Sequence, residues 1–310
     1  MVPPTHGCGP LDPQAATVLA EIAALAEPDM TTVEPDVARR IRARRPLLRQ
    51  TPIHAVDTVD IAGVPCLVYR SRRDPAPTLL WFHGGGWVLG GQATHDEIYR
   101  ALAAKTGCHV VAPEYALAPE RPFPAAVDEC IAVVEALTAA WVPDGLTVGP
   151  LAIGGDSAGA NLAIVAALSS PHPSHRALAV AYPVTDARCS SASYDLDHSE
   201  SYLQPHWMRW FVEHYLSAGG DASDWRISPA LAPDANLRRL PPTYILVASH
   251  DPLRDEGLEL AGRLVALGHD TELVRADGLP HGFLGFASRV AAGQRQLDNL
   301  CAFVRQWLII

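Results

Sequence analysis

LAIGGDSAGANLAIVAAL, residues 151–168, is the stretch on which the fold turns. A short apolar run, 151–154, ends in paired glycines, and the alanine- and leucine-rich segment 157–168 has the composition of a buried helix. Ser157 stands at the change of pattern. It is either the N-cap of that helix or a nucleophile held where the chain bends sharply. Gly155-Asp156-Ser157-Ala158-Gly159 fits G-x-S-x-G between a strand and a helix, a turn that needs small residues two positions either side of the serine.

The same rhythm continues on both sides. Helices are expected at 14–26, with Asp12-Pro13 as cap and first residue, and from Glu34-Pro35 to Leu48. Strands 55–60 and 64–70 flank Ala62-Gly63 and read as a hairpin. Then come strand 78–82, helix 96–106, strand 109–113, helix 125–138, strand 151–154, helix 157–168 and strand 177–182. Strand 244–248, helix 254–267, strand 271–275 and helix 289–308 complete the series. Continuous apolar strands separated by helices imply an α/β fold with a mostly parallel central sheet covered on both faces. Residues 188–226 break the rhythm. They are rich in Ser, His, Asp and aromatics and hold one amphipathic helix, 205–216, so they read as an insertion over the carboxyl edge of the sheet, packing with the N-terminal helices as a cap. The expected divisions are 1–48 (N-terminal helices of the cap), 49–187 and 227–310 (the catalytic domain) and 188–226 (the cap insertion).

A nucleophilic serine needs a base, an acid to orient the base, and donors for the oxyanion. His83-Gly84-Gly85-Gly86-Trp87 follows strand 78–82, and three glycines let backbone N–H groups approach a substrate oxygen. Gly84, Gly85 and Ala158 are the expected oxyanion donors, with His83 shaping the loop. His281 lies ahead of the last helix, past the strand expected to end near Arg275, at the same sheet edge as Ser157; it is the candidate base. His198, His206 and His214 fall in the insertion, where surface or cap-packing roles are the default. Asp251, after strand 244–248, is the candidate acid. Asp277 is its rival, while Asp255 and Glu256 are explained by the dipole of the helix they begin. Trp87, Tyr202, Trp207 and Phe211 are candidate walls of a substrate pocket, although cap packing explains Trp207 and Phe211 equally well.

Composition narrows the partners. The 310 residues carry 24 basic and 34 acidic side chains, a net charge of −10, which disfavours a nucleic-acid partner. The run Arg39-Arg40-Ile41-Arg42-Ala43-Arg44-Arg45 reads as the solvated face of a helix, the alternative being an interaction patch. No signal peptide or bilayer-spanning stretch is visible, so a cytoplasmic location without membrane insertion is expected. The six cysteines show no CxxC pairing and read as free thiols. No metal or other cofactor is expected, since the 13 histidines form no HExxH or other ligand spacing. A homodimer is compatible with the sequence.

Taken together, His83–Trp87, Tyr115-Ala116-Leu117-Ala118-Pro119-Glu120, Phe123-Pro124-Ala125-Ala126, Gly155–Asn161, Asp251–Gly257 and His281-Gly282-Phe283 resemble the bacterial hormone-sensitive-lipase family of carboxylesterases over most of the chain from Leu79 onward. The resemblance implies an α/β-hydrolase fold with a helical cap. It also implies Ser157 as nucleophile, Asp251 as acid, His281 as base, and a small-molecule ester of short or medium acyl chain as substrate. Amide hydrolysis or acyl transfer by the same serine stays open. A binding protein on a retired hydrolase scaffold is disfavoured because His281 is present. Two departures stand out: Ala116 replaces the family's usual arginine, and His250 precedes the acid where a small or acidic residue is usual.

Overall fold

The computed structural model describes residues 9–45, 50–73, 75–139, 146, 149–199 and 201–308. Cys8 and the expected end of the second helix at 46–48 lie outside the described residues.

Helix α1, Pro13–Ala23, starts where Asp12 accepts the N–H groups of Gln14 at 2.8 Å and Ala15 at 3.1 Å. Helix α2 is Pro35–Ala43. Strands β1, Ala55–Ile61, and β2, Val64–Arg70, form the hairpin, with Ala62 at φ 55° and Gly63 at φ 81° as a primed turn demands. There follow β3 (Thr78–Phe82), α3 (Gln92–Thr106), β4 (His109–Pro113), α4 (Ala125–Thr138), β5 (Leu151–Asp156), α5 (Ala158–Ser169) and β6 (His175–Ala181). The chain then runs through α6 (Pro205–Tyr215), the short α7 (Asp234–Leu237), β7 (Thr243–His250), α8 (Arg254–Ala266), β8 (Thr271–Pro280) and α9 (Ala291–Leu308).

The strands form one eight-stranded sheet in the order β1-β2-β4-β3-β5-β6-β7-β8, antiparallel at β1–β2 and β2–β4 and parallel elsewhere. Alternation along each strand divides the core. Leu80, Phe82, Ile153 and Val180 join the layer containing α4, α5 and α8. Leu79, Trp81, Ala152 and Ala179 face the layer containing α3 and α9. Helix α5 is buried from Ala158 to Leu168, as its apolar circumference requires. Among the described residues no helix is long and apolar enough to cross a membrane. The five described cysteines are buried free thiols; burial pushes Cys66 up to about 12.

Two registers position the site. Phe82 of β3 pairs with Gly155 of β5, so the glycine loop and the serine turn leave the sheet side by side. Between β7 and β8, Ala248 faces Ala276 and His250 faces Pro280, with an irregularity between them. Only Ser249 stands opposite residues 277–279, and the Gly278 N–H donates to Ser249 Oγ at 2.9 Å. The last strand thus continues past the expected end near Arg275, across this bulge, to Pro280.

Candidate active site

Ser157 occupies the N-terminal boundary of α5, but its side chain makes no capping bond. Its backbone stands at φ 55°, ψ −120°, a conformation that costs a non-glycine residue about 1–3 kcal/mol. The strain is held by the Ser157 N–H donating to Ala181 O at 2.9 Å and by the Asn161 N–H donating to Ser157 O at 3.1 Å. Ser157 Oγ lies instead 2.9 Å from His281 Nε2, and His281 Nδ1 donates to Asp251 Oδ2 at 2.7 Å. The other carboxylate oxygen, Asp251 Oδ1, accepts the Leu253 N–H at 2.9 Å. The His281 ring rests on Tyr182, with centroids 4.7 Å apart.

The rival acid faces outward: Asp277 is exposed and pairs with Arg275 at 2.6 Å. Asp255 and Glu256 do begin α8, yet their burial exceeds what a dipole account needs. Asp255 pairs with the buried Arg254 at 2.7 Å. Glu256 Oε1 accepts the Thr185 N–H at 2.7 Å, and burial raises its pKa well above the ordinary value. The neighbour of the acid, His250, donates through Nε2 to Gly9 O at 3.0 Å. Ala116 is packed, and its N–H donates to Glu129 Oε2 at 2.6 Å, while Arg121 supplies a guanidinium to the same carboxylate.

The glycine loop needs one revision. The Gly84 N–H, expected in the oxyanion hole, is directed at His95 Nε2, 3.2 Å away. Among the described residues, no protein acceptor takes the N–H groups of Gly85, Gly86 or Ala158, and Gly85 and Gly86 line the cavity over Ser157. Beneath the loop, Asp156 accepts the Trp81 indole N–H at 3.1 Å and faces His95 Nε2 at 3.2 Å. Burial works to raise the Asp156 pKa, but His95 and the Trp81 N–H outweigh it and hold the carboxyl below its usual range. Burial, helped by His95, lowers His83 to about 3, so it is neutral; its Nδ1 donates to Gly84 O at 2.8 Å, and its ring stacks on Tyr115.

A cavity of about 440 Å³ opens over Ser157 and His281, lined by residues of α1, α2, α3 and α6 and their flanking loops. Tyr202, Trp207 and Phe211 line it. Trp87 does not: at φ 59° its side chain turns beneath the loop, fully buried, and stacks on Tyr215 at 4.4 Å. Between the segment ahead of α2 and helix α6, Asp29 accepts from Trp207 Nε1 at 3.0 Å and from His206 Nε2 at 2.8 Å. The arginine run is not simply solvated. Arg39 donates to Val88 O and Ala118 O at 2.7 Å, and Arg42 and Arg45 line the cavity. His95 and Tyr182 are the site's neighbours that no local pattern in the sequence marked, while Asp156 and these arginines stood in marked segments without a place at the site. Among the described residues no group of three or more His, Cys, Asp or Glu could hold a metal ion.

Residues 79–285 match a family model described as the alpha/beta hydrolase fold. The chain is 37% identical over 244 residues, 75% of each protein, to carboxylesterase NlhH of Mycobacterium tuberculosis. It is 32% identical over 264 residues, 82% of each, to an ethyl acetate hydrolase of Pseudomonas putida. A thermostable esterase from Pseudomonas putida superposes with a TM-score of 0.90 at 27% identity, covering 98% of this chain and 99% of that one.

Proposed function

Because this chain belongs to the alpha/beta hydrolase fold family and is a carboxylic ester hydrolase akin to the hormone-sensitive-lipase group, we propose that it cleaves short- to medium-chain acyl esters through Ser157, His281 and Asp251. The observation that carries this reading is the unbroken chain of contacts from Ser157 Oγ through the His281 imidazole to Asp251, 2.9 Å and then 2.7 Å.

Ser157 Oγ attacks the ester carbonyl carbon while His281 Nε2 takes the hydroxyl proton. Asp251 fixes the tautomer with hydrogen on Nδ1 and stabilises the imidazolium that forms. The tetrahedral oxyanion accepts from the N–H groups of Gly85, Gly86 and Ala158, the last at the positive end of α5. Collapse expels the alcohol, which takes the proton from His281 and leaves an acyl-serine. Water, deprotonated by His281, then adds to the acyl carbon, and the acid leaves as Ser157 regains its proton. The ester and one water become one acid and one alcohol.

The N-terminal helices and residues 188–226 act as a cap over this centre. Its enclosure favours small and medium esters over long-chain fats, in keeping with a relative named for ethyl acetate. The test combines an organophosphate, located by peptide mass, with p-nitrophenyl esters from acetate to palmitate. An adduct on Ser157 and an optimum at short or medium chains are expected. No adduct there, or a palmitate optimum, contradicts the reading.

A further inference from the structure

The cavity over Ser157 is chiefly apolar, yet two guanidinium groups reach one wall. Arg45 is matched by Glu27, Nη2 to Oε2 at 2.5 Å. Arg42 is not: among the described residues it forms no ion pair. Its Nη1 donates to the Tyr202 hydroxyl, and its guanidinium lies over the rings of Tyr202 and Trp207 at 5.4 Å and 5.6 Å. Arg45 Nη1 donates to the same hydroxyl at 2.8 Å. With two N–H donors turned toward the phenol oxygen, the Tyr202 O–H remains available to donate. Burial works to raise the Tyr202 pKa, but the two arginines outweigh it and bring it below its ordinary value, a sign of a positive local field.

Tyr202 shares this cavity with Ser157 and His281. A Cβ on Gly282, the residue after His281, would lie 3.4 Å from Tyr202 Cδ1. The ring therefore lies beside the backbone that follows the base, with its hydroxyl at the guanidinium pair. Among the described residues, the three acidic groups lining the cavity are already engaged: Glu21 pairs with Arg289 at 2.7 Å, Glu97 accepts the Thr51 N–H at 2.7 Å and its hydroxyl at 2.6 Å, and Asp156 accepts from Trp81 at 3.1 Å and faces His95.

We propose that Arg42, with the Tyr202 hydroxyl, binds a carboxylate carried on one arm of the ester, making half-esters of dicarboxylic acids the preferred substrate class. The proposal rests on the reading of Ser157 as the nucleophile of this cavity and adds no chemical step, because the carboxylate takes no part in bond exchange. An anion here gains charge-assisted bonds to a guanidinium that forms no ion pair among the described residues, although its charge also acts on Glu27, in a largely apolar surround where such bonds are strong.

The test is hydrolysis, followed by pH-stat, of monoethyl succinate, glutarate, adipate and suberate. Each is run beside the neutral ethyl ester of equal acyl length and the ethyl ester of the matching ω-amino acid. At least one half-ester should exceed its neutral partner roughly tenfold in kcat/KM. That ratio, read within each protein, should fall to about one in Arg42→Gln and persist, reduced, in Arg42→Lys. Equal or poorer half-esters at every length, a preference for the amino esters, or a ratio that survives Arg42→Gln overturns the proposal. Failure to hydrolyse even the neutral esters counts against the Ser157 reading instead. Calorimetric binding of monoethyl adipate and ethyl hexanoate to Ser157→Ala, with and without Arg42→Gln, then decides the carboxylate subsite separately: tighter half-ester binding that depends on Arg42 supports it, and equal binding removes it.

Discussion

Gly159 passes so close to Phe82 that a Cβ built on it would stand 2.0 Å from the Phe82 carbonyl oxygen. The first turn of α5 is thereby pressed against the end of β3, which brings the serine turn and the glycine loop together. Gly159→Ala must push backbone away from backbone, since no side chain can yield. A loss of about 3 kcal/mol or more is expected in urea unfolding, with activity falling alongside. An unfolding midpoint equal to that of the parent protein contradicts this.

The two aspartates near the base predict a clean contrast. Asp251→Asn removes the carboxylate that holds His281 Nδ1–H, and kcat should fall by about ten-thousandfold with the fold retained. Asp277→Asn removes only an exposed partner of Arg275 and should leave kcat within about twofold. Matched losses in the two variants would mean that the acid has been misassigned.

Acyl preference should respond to Phe211 and not to Trp87. The Phe211 ring lies against Gly86, where an added Cβ would approach it to 2.2 Å, and it lines the cavity. Phe211→Ala should move the p-nitrophenyl ester optimum to a longer chain. Trp87→Phe, altering only the stack on Tyr215, should lower stability by about 1–3 kcal/mol and keep the same optimum. An optimum that moves in the tryptophan variant alone refutes the placement.

Two buried groups give stability opposite slopes with pH. Burial raises Glu256 well above its ordinary 4.5, so the folded protein keeps a proton that the unfolded chain releases above about that pH. Its contribution is full below 4.5 and is lost as pH rises toward the elevated value. His83 is lowered from 6.5 to about 3, so its contribution is full above 6.5 and declines as pH falls toward 3. Glu256→Gln should flatten the alkaline decline by up to about 1.4 kcal/mol per pH unit and leave the acid limb in place. Thermal melts from pH 5 to 8 read this directly; parallel curves for the two proteins rule it out.

Much of this architecture is legible in the sequence because the strands are locally consistent. Residues 78–82 and 109–113, apolar after Thr78 and His109, are buried throughout and end where expected, as does helix Ala125–Thr138. The triad candidates are legible because each follows a strand at one sheet edge. The exceptions have physical reasons. Strand β8 was expected to stop near Arg275, since a bulge containing Gly278 erases the alternation, yet pairing resumes at Pro280. The Gly84 N–H was expected in the oxyanion hole because a glycine run does not show which way each peptide points; His95, from another element, faces it. The arginines of the second helix looked solvated because periodicity describes one helix, not what packs beside it. Trp87 was misplaced for a related reason: its positive φ is invisible in a row of letters.

The bulge in β8 has a mechanical side. Gly278 O accepts the Asp12 N–H at 2.9 Å, and Gly9 O accepts from His250, which immediately precedes the acid. The segment leading into α1 is therefore pinned to both strands that deliver the acid and the base, while α1 itself helps wall the cavity. For anyone immobilising the enzyme on a support, a tether ahead of Gly9 transmits its load straight to the alignment of Asp251 with His281. Attachment chemistry aimed at that end would then be felt as lost turnover before any loss of fold.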